Sequence, residues 1–420
     1  MKKSVTKSGP GVRARQRIAV KALAVDPRTA LWEVVIDVGA QVVQAMLEED
    51  RRSLCGPRYA HAADRRASRA GTAPSRVVLG GRTIEIRRPR VRNEAGEVPL
   101  PIFGALSQRD PLAHRMVEQM LVGVSTRRYD RSLEPVPASL KSGGTSKSAV
   151  SRAFVARTRA QLERWQSQPL GEHDLAVLYL DGLRFGRDCL VVALGVDTTG
   201  RKHVLGLWDG STENTAVCAG LLANLVGRGL RTDRSVLVIL DGSQALRRAV
   251  DDAFGRAAWV QRCQAHKLRN VLGYLSPKHQ PAARAALRRA YQHADPAVAK
   301  RQLLALGRQL ETHSPSAAAS LREGLEETLT VLALPIGDTL RRALATTNSV
   351  ENLVGGIRLV HRNVKRWRSR GMMLRWAVAG VIEAAKGFHR CRGSRDMRAL
   401  VNALRARDER LGLTRAPHAA

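Results

Sequence analysis

Aromatic residues make up only 4% of the 420 positions of this chain. The core must therefore be aliphatic, and an aromatic platform for stacked bases is not the obvious mode of ligand binding. Cysteine is scarcer still. Cys55, Cys189, Cys218, Cys263 and Cys391 are scattered and odd in number, which excludes a disulfide framework and points to a reducing compartment. No run approaches the roughly 18 apolar residues of a membrane span. The basic opening Met1-Lys2-Lys3 leads into arginine-rich sequence, not into the apolar stretch of a secretion signal. The expectation is a soluble cytoplasmic protein with no membrane partner. Acidic residues are also in short supply, 37 Asp+Glu against 70 Lys+Arg, for a net charge of +33. Such an excess suits contact with the phosphates of nucleic acid, although ribosomal, nucleoid and membrane-surface proteins share the bias.

The length exceeds what one hydrophobic core usually supports. Residues 1–20 read as a disordered basic arm, and 21–165 as a mainly helical DNA-binding region. Within that region Thr29–Glu49 carries apolar residues at helical spacing, and Arg76–Arg92 alternates about a Gly-Gly pair as a hairpin does, with an arginine-studded face suited to phosphates. Ser125–Glu134 has a cap-and-helix pattern, and Thr145–Phe154 resembles a recognition helix after a helix-turn-helix-like connection. From Asp174 the texture changes. Leu175–Leu180, Cys189–Val196 and His203–Leu207 read as an antiparallel meander, followed by helix, strand Ser235–Leu240, helix and strand Ala257–Arg262. Three strands and then alternating helix and strand is the order of an α/β, ribonuclease-H-like catalytic core, expected over 174–270 and 345–395. The block 271–344 reads as an all-helical insertion, and 396–420 as a C-terminal tail.

Three carboxylates stand out. Asp181 closes one apolar run, Asp241 closes another, and Glu351 opens a basic amphipathic helix. Singly, Asp-Gly pairs are ordinary turn signals and a first-turn Glu complements a helix dipole. If the first and fourth strands are neighbours, however, the two aspartates converge, and a helix across the sheet brings Glu351 to them. Asp181, Asp241 and Glu351 are then the catalytic residues and the ligands of two Mg²⁺ ions, with Mn²⁺ as a substitute, because carboxylate oxygens suit hard cations that take further ligands from phosphate. Cys263 and His266, at the end of the last strand, are half of a zinc site at most, since structural zinc needs four ligands. They are expected to support the carboxylates instead.

Leu180-Asp181-Gly182, Leu240-Asp241-Gly242, Cys263-x-x-His266 and the run from Thr346 to Asn352 resemble the acidic triad and Cys-His signature of bacterial Mutator-type transposases, the insertion-sequence 256 family of DDE type. Arg127–Pro135, Arg366–Arg370 and Leu374-Arg375-Trp376 are similar to further parts of that family, and the likeness runs from about Leu121 to Gly393. The resemblance implies a multimeric enzyme, a homodimer or larger, acting on double-stranded DNA: it binds terminal inverted repeats, cuts, and joins the ends to target DNA. Arg127, Arg128, Lys147, Arg152, Lys267, Arg269, Arg362, Lys365, Arg366, Arg368 and Arg370 are the cations expected to contact DNA. A DNA-binding regulator without activity and a purely hydrolytic nuclease of the same fold are the alternatives.

Overall fold

A computed structural model describes residues 27–59, 67–79, 81–108, 114–133, 140–143, 146–185, 188–210, 214–362, 364 and 366–413. The basic arm at 1–20 and Lys365 lie outside the described residues, as do parts of the stretches around Pro135 and Thr145. The architecture is mixed α/β, and the chain divides into two compact units, Met1–Arg157 and Thr158–Ala420.

In the first unit, helix α1 (Pro27–Cys55) runs a turn and a half beyond its expected end, because Val43, Leu47 and Cys55 keep one side of it buried. That side packs with Val77, Ile86 and Val91 of the antiparallel hairpin β1 (Ser68–Leu79) and β2 (Arg82–Asn93). The short strands β3 (Gly96–Val98) and β4 (Ser142–Gly143) pair with opposite ends of β2. Several hairpin arginines are answered within the sheet: Arg88 and Arg90 by Glu97 at 2.9 and 2.8 Å, and Arg76 by Glu85 at 3.3 Å. Helices α2 (Pro101–Gln108) and α3 (His114–Leu121) follow. The helix expected at Ser125–Glu134 is only a 3₁₀ turn, Tyr129–Ser132. Tyr129 is buried against the hairpin turn, where a Cβ on Gly81 would lie 2.6 Å from the Tyr129 hydroxyl, and this anchor bends the segment. Helix α4 (Lys147–Ser167) begins in this unit and continues past Phe154 into the second, with Val150, Phe154 and Thr158 buried at four-residue intervals.

The second unit is built on a five-stranded sheet of order β7-β6-β5-β8-β9. Strands β5 (Leu175–Phe185), β6 (Asp188–Asp197) and β7 (Lys202–Gly210) form an antiparallel meander, and β8 (Val236–Leu240) and β9 (Ala258–Arg262) add in parallel beside β5. Strand β5 pairs with β6 through Asp181↔Val192 as far as Phe185↔Asp188, so Asp181, expected at a strand end, sits within one. Side-chain alternation divides the core. Leu178, Leu180, Val238 and Leu240 pack beneath α5 (Thr215–Gly227) and α6 (Gln244–Phe254). Val177, Tyr179, Leu237 and Ile239 face the other way.

Against that other face pack the remaining described helices of this unit. Helix α7 (Gln264–Gly273) leads to α8 (Gln280–Tyr291), α9 (Pro296–Glu311), α10 (Pro315–Arg322) and α11 (Asp338–Leu344). Their Leu287, Leu303, Leu321 and Leu340 belong to the same continuous core as the strands. Helices α12 (Asn348–His361) and α13 (Arg370–Ala385) complete this layer. Among the described residues between them, 362, 364 and 366–369, none is helical. Residues 397–411, expected as tail, form helix α14, because Met397, Leu400 and Leu404 bury one side of it in the core. Its Asp408 carboxylate accepts a hydrogen bond from the Ser235 amide at 2.6 Å. Among the described residues no helix is long and apolar enough to cross a membrane.

Gly393, which leads into the turn before α14, has φ +76°, and a Cβ there would lie 2.5 Å from the Leu340 amide nitrogen. Gly393→Ala combines a left-handed backbone with overlap against a neighbouring main chain, so it is expected to cost about 2 kcal/mol or more. Denaturant titration of the variant measures this, and a change within about 0.5 kcal/mol would refute the tight fit.

Candidate active site

The parallel pairs of β5 and β8 end at Leu180↔Leu240, so Asp181 and Asp241 are the next residues on two adjacent chains. Asp181 is buried, at 7% exposure, on the alternation that also points Tyr179 and Leu183 at the helical layer. One oxygen of Asp241 accepts the Ser243 amide at 2.8 Å, the Asx geometry that starts α6. Glu351 stands in the first turn of α12, whose Val350, Leu353, Val354 and Ile357 are buried in the shared core. This packing holds the helix, and with it Glu351, over the sheet edge.

Strand β9 delivers the next group. The Cys263 amide donates to the Leu240 carbonyl at 2.8 Å, setting Cys263 beside the Asp241 turn, and the Cys263 sulfur caps α7 by accepting the His266 amide at 3.5 Å. Thr347 closes the arrangement. Its amide and hydroxyl lie 3.4 and 3.5 Å from that sulfur, and its hydroxyl is 3.3 Å from His266 Nδ1. The other imidazole nitrogen, Nε2, faces Glu351 at 3.9 Å, and Arg269, three residues along α7, reaches the same carboxylate oxygen at 3.9 Å. Thr347 carries no sequence signal of its own beyond its place in the run before Glu351.

The electrostatics join the group. Burial, and next the nearby charge of Asp241, push the Asp181 carboxyl up to about 7; Glu351 adds to this and His266 opposes it. His266 is raised to about 9, first by its hydrogen bond with the Cys263 sulfur and further by Asp181 and Asp241. Burial presses the Cys263 thiol upward, but hydrogen bonds from His266 and Thr347 more than offset it and hold it below its ordinary value. In donor type and charge these carboxylates fit a hard divalent cation, which would relieve their mutual repulsion. Among the described residues, no three His, Cys, Asp or Glu side chains are grouped closely enough to ligate an ion as they stand.

The expected DNA-contacting cations among the described residues fall into two classes. Arg127, Arg128, Lys147, Arg152, Arg269, Arg362, Arg366, Arg368 and Arg370 are exposed, and Arg370 also meets Asp188 at 3.2 Å. In the stretch after α12, Trp367 packs on the core with its ring 4.7 Å from that of His361, while the flanking arginines stay at the surface. Lys267 is different. It is 3% exposed, and its ammonium donates to the Ser320 and Glu323 carbonyls at 2.6 and 2.7 Å, at the end of α10. An ammonium satisfied by helix C-terminal carbonyls inside the protein is not a phosphate ligand, and the expectation for Lys267 is corrected accordingly. Beside it Arg262 pairs with Glu327 at 2.6 Å and with Glu323 at 3.2 Å.

A family model described as "Transposase, Mutator family" matches residues 16–390. The chain is 28% identical over 344 residues to the transposase for insertion sequence element ISRM5 of Rhizobium meliloti strain 1021, covering 81% of this chain and 84% of that protein. It is 30% identical over 289 residues to the transposase for IS6120 of Mycolicibacterium smegmatis, covering 67% and 87%. A third similar protein, the transposase for IS256 in transposon Tn4001 of Staphylococcus aureus, is 25% identical over 311 residues, covering 70% and 75%.

Lys267→Met is expected to lower stability by about 1.5–3 kcal/mol through loss of charged hydrogen bonds, while affinity for DNA is unchanged. Melting and DNA titration separate the two effects, and intact stability with weakened binding would restore the phosphate role. Asp181 also predicts a pH dependence. Its carboxyl is held well above the ordinary value of 3.8, so between 3.8 and about 7 the folded state binds more protons than the unfolded. The resulting loss of stability grows as pH rises through that window and is complete above about 7. In metal-free buffer Asp181→Asn should therefore melt higher than wild type at alkaline pH, and the difference should vanish in acid. Equal melting at both ends would show that Asp181 is not strained.

Proposed function

Because the chain belongs to the Mutator family of transposases, we propose that it is a DDE-type enzyme that binds the terminal inverted repeats of an insertion sequence, cleaves DNA there and joins the freed 3′ end to target DNA. The observation that carries this reading is the side-by-side placement of Asp181 and Asp241 beyond Leu180↔Leu240, with the charges of Glu351 and His266 acting on the same site. The sheet order and its change from antiparallel to parallel after β5 support a ribonuclease-H-like core. In this reading 174–270 and 345–395 form the core, 271–344 the helical insertion, and 21–165 the region that recognises DNA.

Asp181, Asp241 and Glu351 would hold two Mg²⁺ ions, or Mn²⁺ in their place. Such ions, when bound, stabilise the attacking and leaving oxygens of an in-line displacement at phosphorus. The chain's own residues set the geometry. Burial in the sheet restricts Asp181, and the Ser243 amide orients Asp241. Thr347 and Cys263 fix the His266 ring so that Nε2 faces the site, and His266 with Arg269 presents positive charge on one side of α7 where a phosphate can be received. Arg362, Arg366, Arg368 and Arg370, and in the first unit Arg127, Arg128, Lys147 and Arg152, are all exposed, and in this reading they contact the DNA backbone. Hydrolysis frees a 3′-OH, and the same site directs that hydroxyl at a second phosphodiester. No covalent protein intermediate is required. The working form is a homodimer or larger assembly on DNA, in the cytoplasm.

Asp181→Asn, Asp241→Asn and Glu351→Gln are each expected to abolish cleavage while retaining affinity for the element's ends, since each removes a metal ligand and not a phosphate contact. A gel assay on duplexes carrying those ends, with Mg²⁺, reads both cutting and joining. A variant that still nicks removes its residue from the site. Wild-type protein that binds without nicking would be a regulator, and nicking without joined products would make it a nuclease.

A further inference from the structure

A groove of about 680 Å³ lies between α7, α8 and the end of α11 with the residues just after it; Arg269, Arg284, Arg288 and Arg342 are among its lining, and no carboxylate is. We propose that this groove binds a single, unpaired strand of DNA as it leaves the catalytic carboxylates, an inference that rests on the reading of the protein as a DNA-joining enzyme.

The helical block has no acidic residue left to pair with the cations of the groove. The carboxylates of 271–344 are all occupied: Asp295 caps α9, Glu311 pairs with Arg322, Glu323 and Glu327 with Arg262, Glu326 with Lys300, and Asp338 with Arg341. Arg284, Arg288 and Arg342 are exposed and, among the described residues, have no ion pair. Unpaired arginines converging on one concavity repel one another, and a polyanion relieves that repulsion. Arg284 and Arg288 are one helical turn apart on α8, about 6 Å along its axis, a spacing suited to neighbouring phosphates of one strand. Both also border a smaller hollow of about 290 Å³ with Gln280 and Pro281, which extends the basic surface along α8.

Position ties the groove to the reaction. Arg269, on its wall, is the residue 3.9 Å from Glu351, and Thr346, also on its wall, precedes the Thr347 that contacts His266. The lining between the cations favours unpaired DNA over duplex. Leu268, Leu272 and Tyr291 give it apolar surface, and Gln264 and Gln280 supply amides that both donate and accept toward base edges. A duplex keeps its bases stacked inside and could meet the arginines but not this surface.

The test compares full-length wild type with Arg284→Glu/Arg288→Glu and with a control of the same charge change, Arg289→Glu/Arg301→Glu, on exposed positions outside the groove. Fluorescence anisotropy measures binding of an oligothymidylate of about 20 nucleotides and of a blunt duplex of similar length, over a range of salt. The groove variant should lose about tenfold or more in single-strand affinity, with its salt slope reduced by about 0.7 for each phosphate contact removed. The control and the duplex should change far less. Equal losses in both variants, equal losses on both DNA forms, or no loss at all would overturn the groove while leaving the transposase reading intact. Wild type that binds neither DNA would overturn both. A strand carrying a photoreactive thymidine analogue, crosslinked to wild-type protein, gives a second readout independent of how the variants fold. Adducts should map within 264–292, and crosslinks confined elsewhere count against the proposal.

Discussion

The parallel pairing of β5 with β8 is the constraint on which the rest of this enzyme depends. Parallel strands end at the same edge of a sheet, so two residues far apart in sequence, Asp181 and Asp241, are set side by side by the four pairs from Val177↔Leu237 to Leu180↔Leu240. Both faces of these strands are buried, and a one-residue slip would turn Asp181 from the helical layer into the core beneath α5 and α6. The runs of Leu, Val and Ile in both strands are thus more than filler, because they let both faces be covered by helices and so hold the carboxylate-bearing edge inside the fold. Glu351 depends on the same sheet at one remove, through α12 and its buried Val350, Leu353 and Ile357.

Acidic residues are few, and their use is divided. Glu323 and Glu327 fasten the helical block to Arg262 and Lys267, and Asp408 anchors α14 at Ser235. In this proposed site, by contrast, Asp181 is buried close to Asp241 and Glu351, an arrangement that raises its pKa and works against the folded state. Ion pairs placed away from the site help secure the layers around that strained group. The surrounding surplus of arginine keeps the long-range potential favourable to polyanions in spite of the local negative charge.

Much of the second unit was legible because its signals are local. Apolar runs ending in Asp-Gly marked both aspartates, and the order of strands and helices suggested which strands pair. What escaped depended on tertiary contact. The extension of β5 beyond Asp181 is enforced by its partner β6, with Gly182↔Val191 and Leu183↔Leu190 continuing the ladder through an Asp-Gly step that sequence reads as a turn. Residues 125–134 carry the sequence pattern of a capped helix, yet burial of Tyr129 against the hairpin leaves only a short turn, Tyr129–Ser132. Helix α14 carries Met397, Leu400 and Leu404 at helical spacing, but the arginines between them gave the segment the look of a solvated tail.

Helix α7 shows why a charged residue near an acidic cluster cannot be assigned from spacing alone. Successive residues on a helix point about 100° apart. His266 and Arg269, three apart, therefore share the face that meets Glu351, whereas Lys267 turns toward α10 and ends on the Ser320 and Glu323 carbonyls. One short helix thus carries two kinds of cation. Its exposed Arg269 stands beside the carboxylates, and its buried Lys267 fixes the helical block that forms the other wall of the arginine-lined groove. Moving α7 would disturb both, so the geometry around Glu351 and the placement of the block are joined through a rigid element and not through a flexible linker.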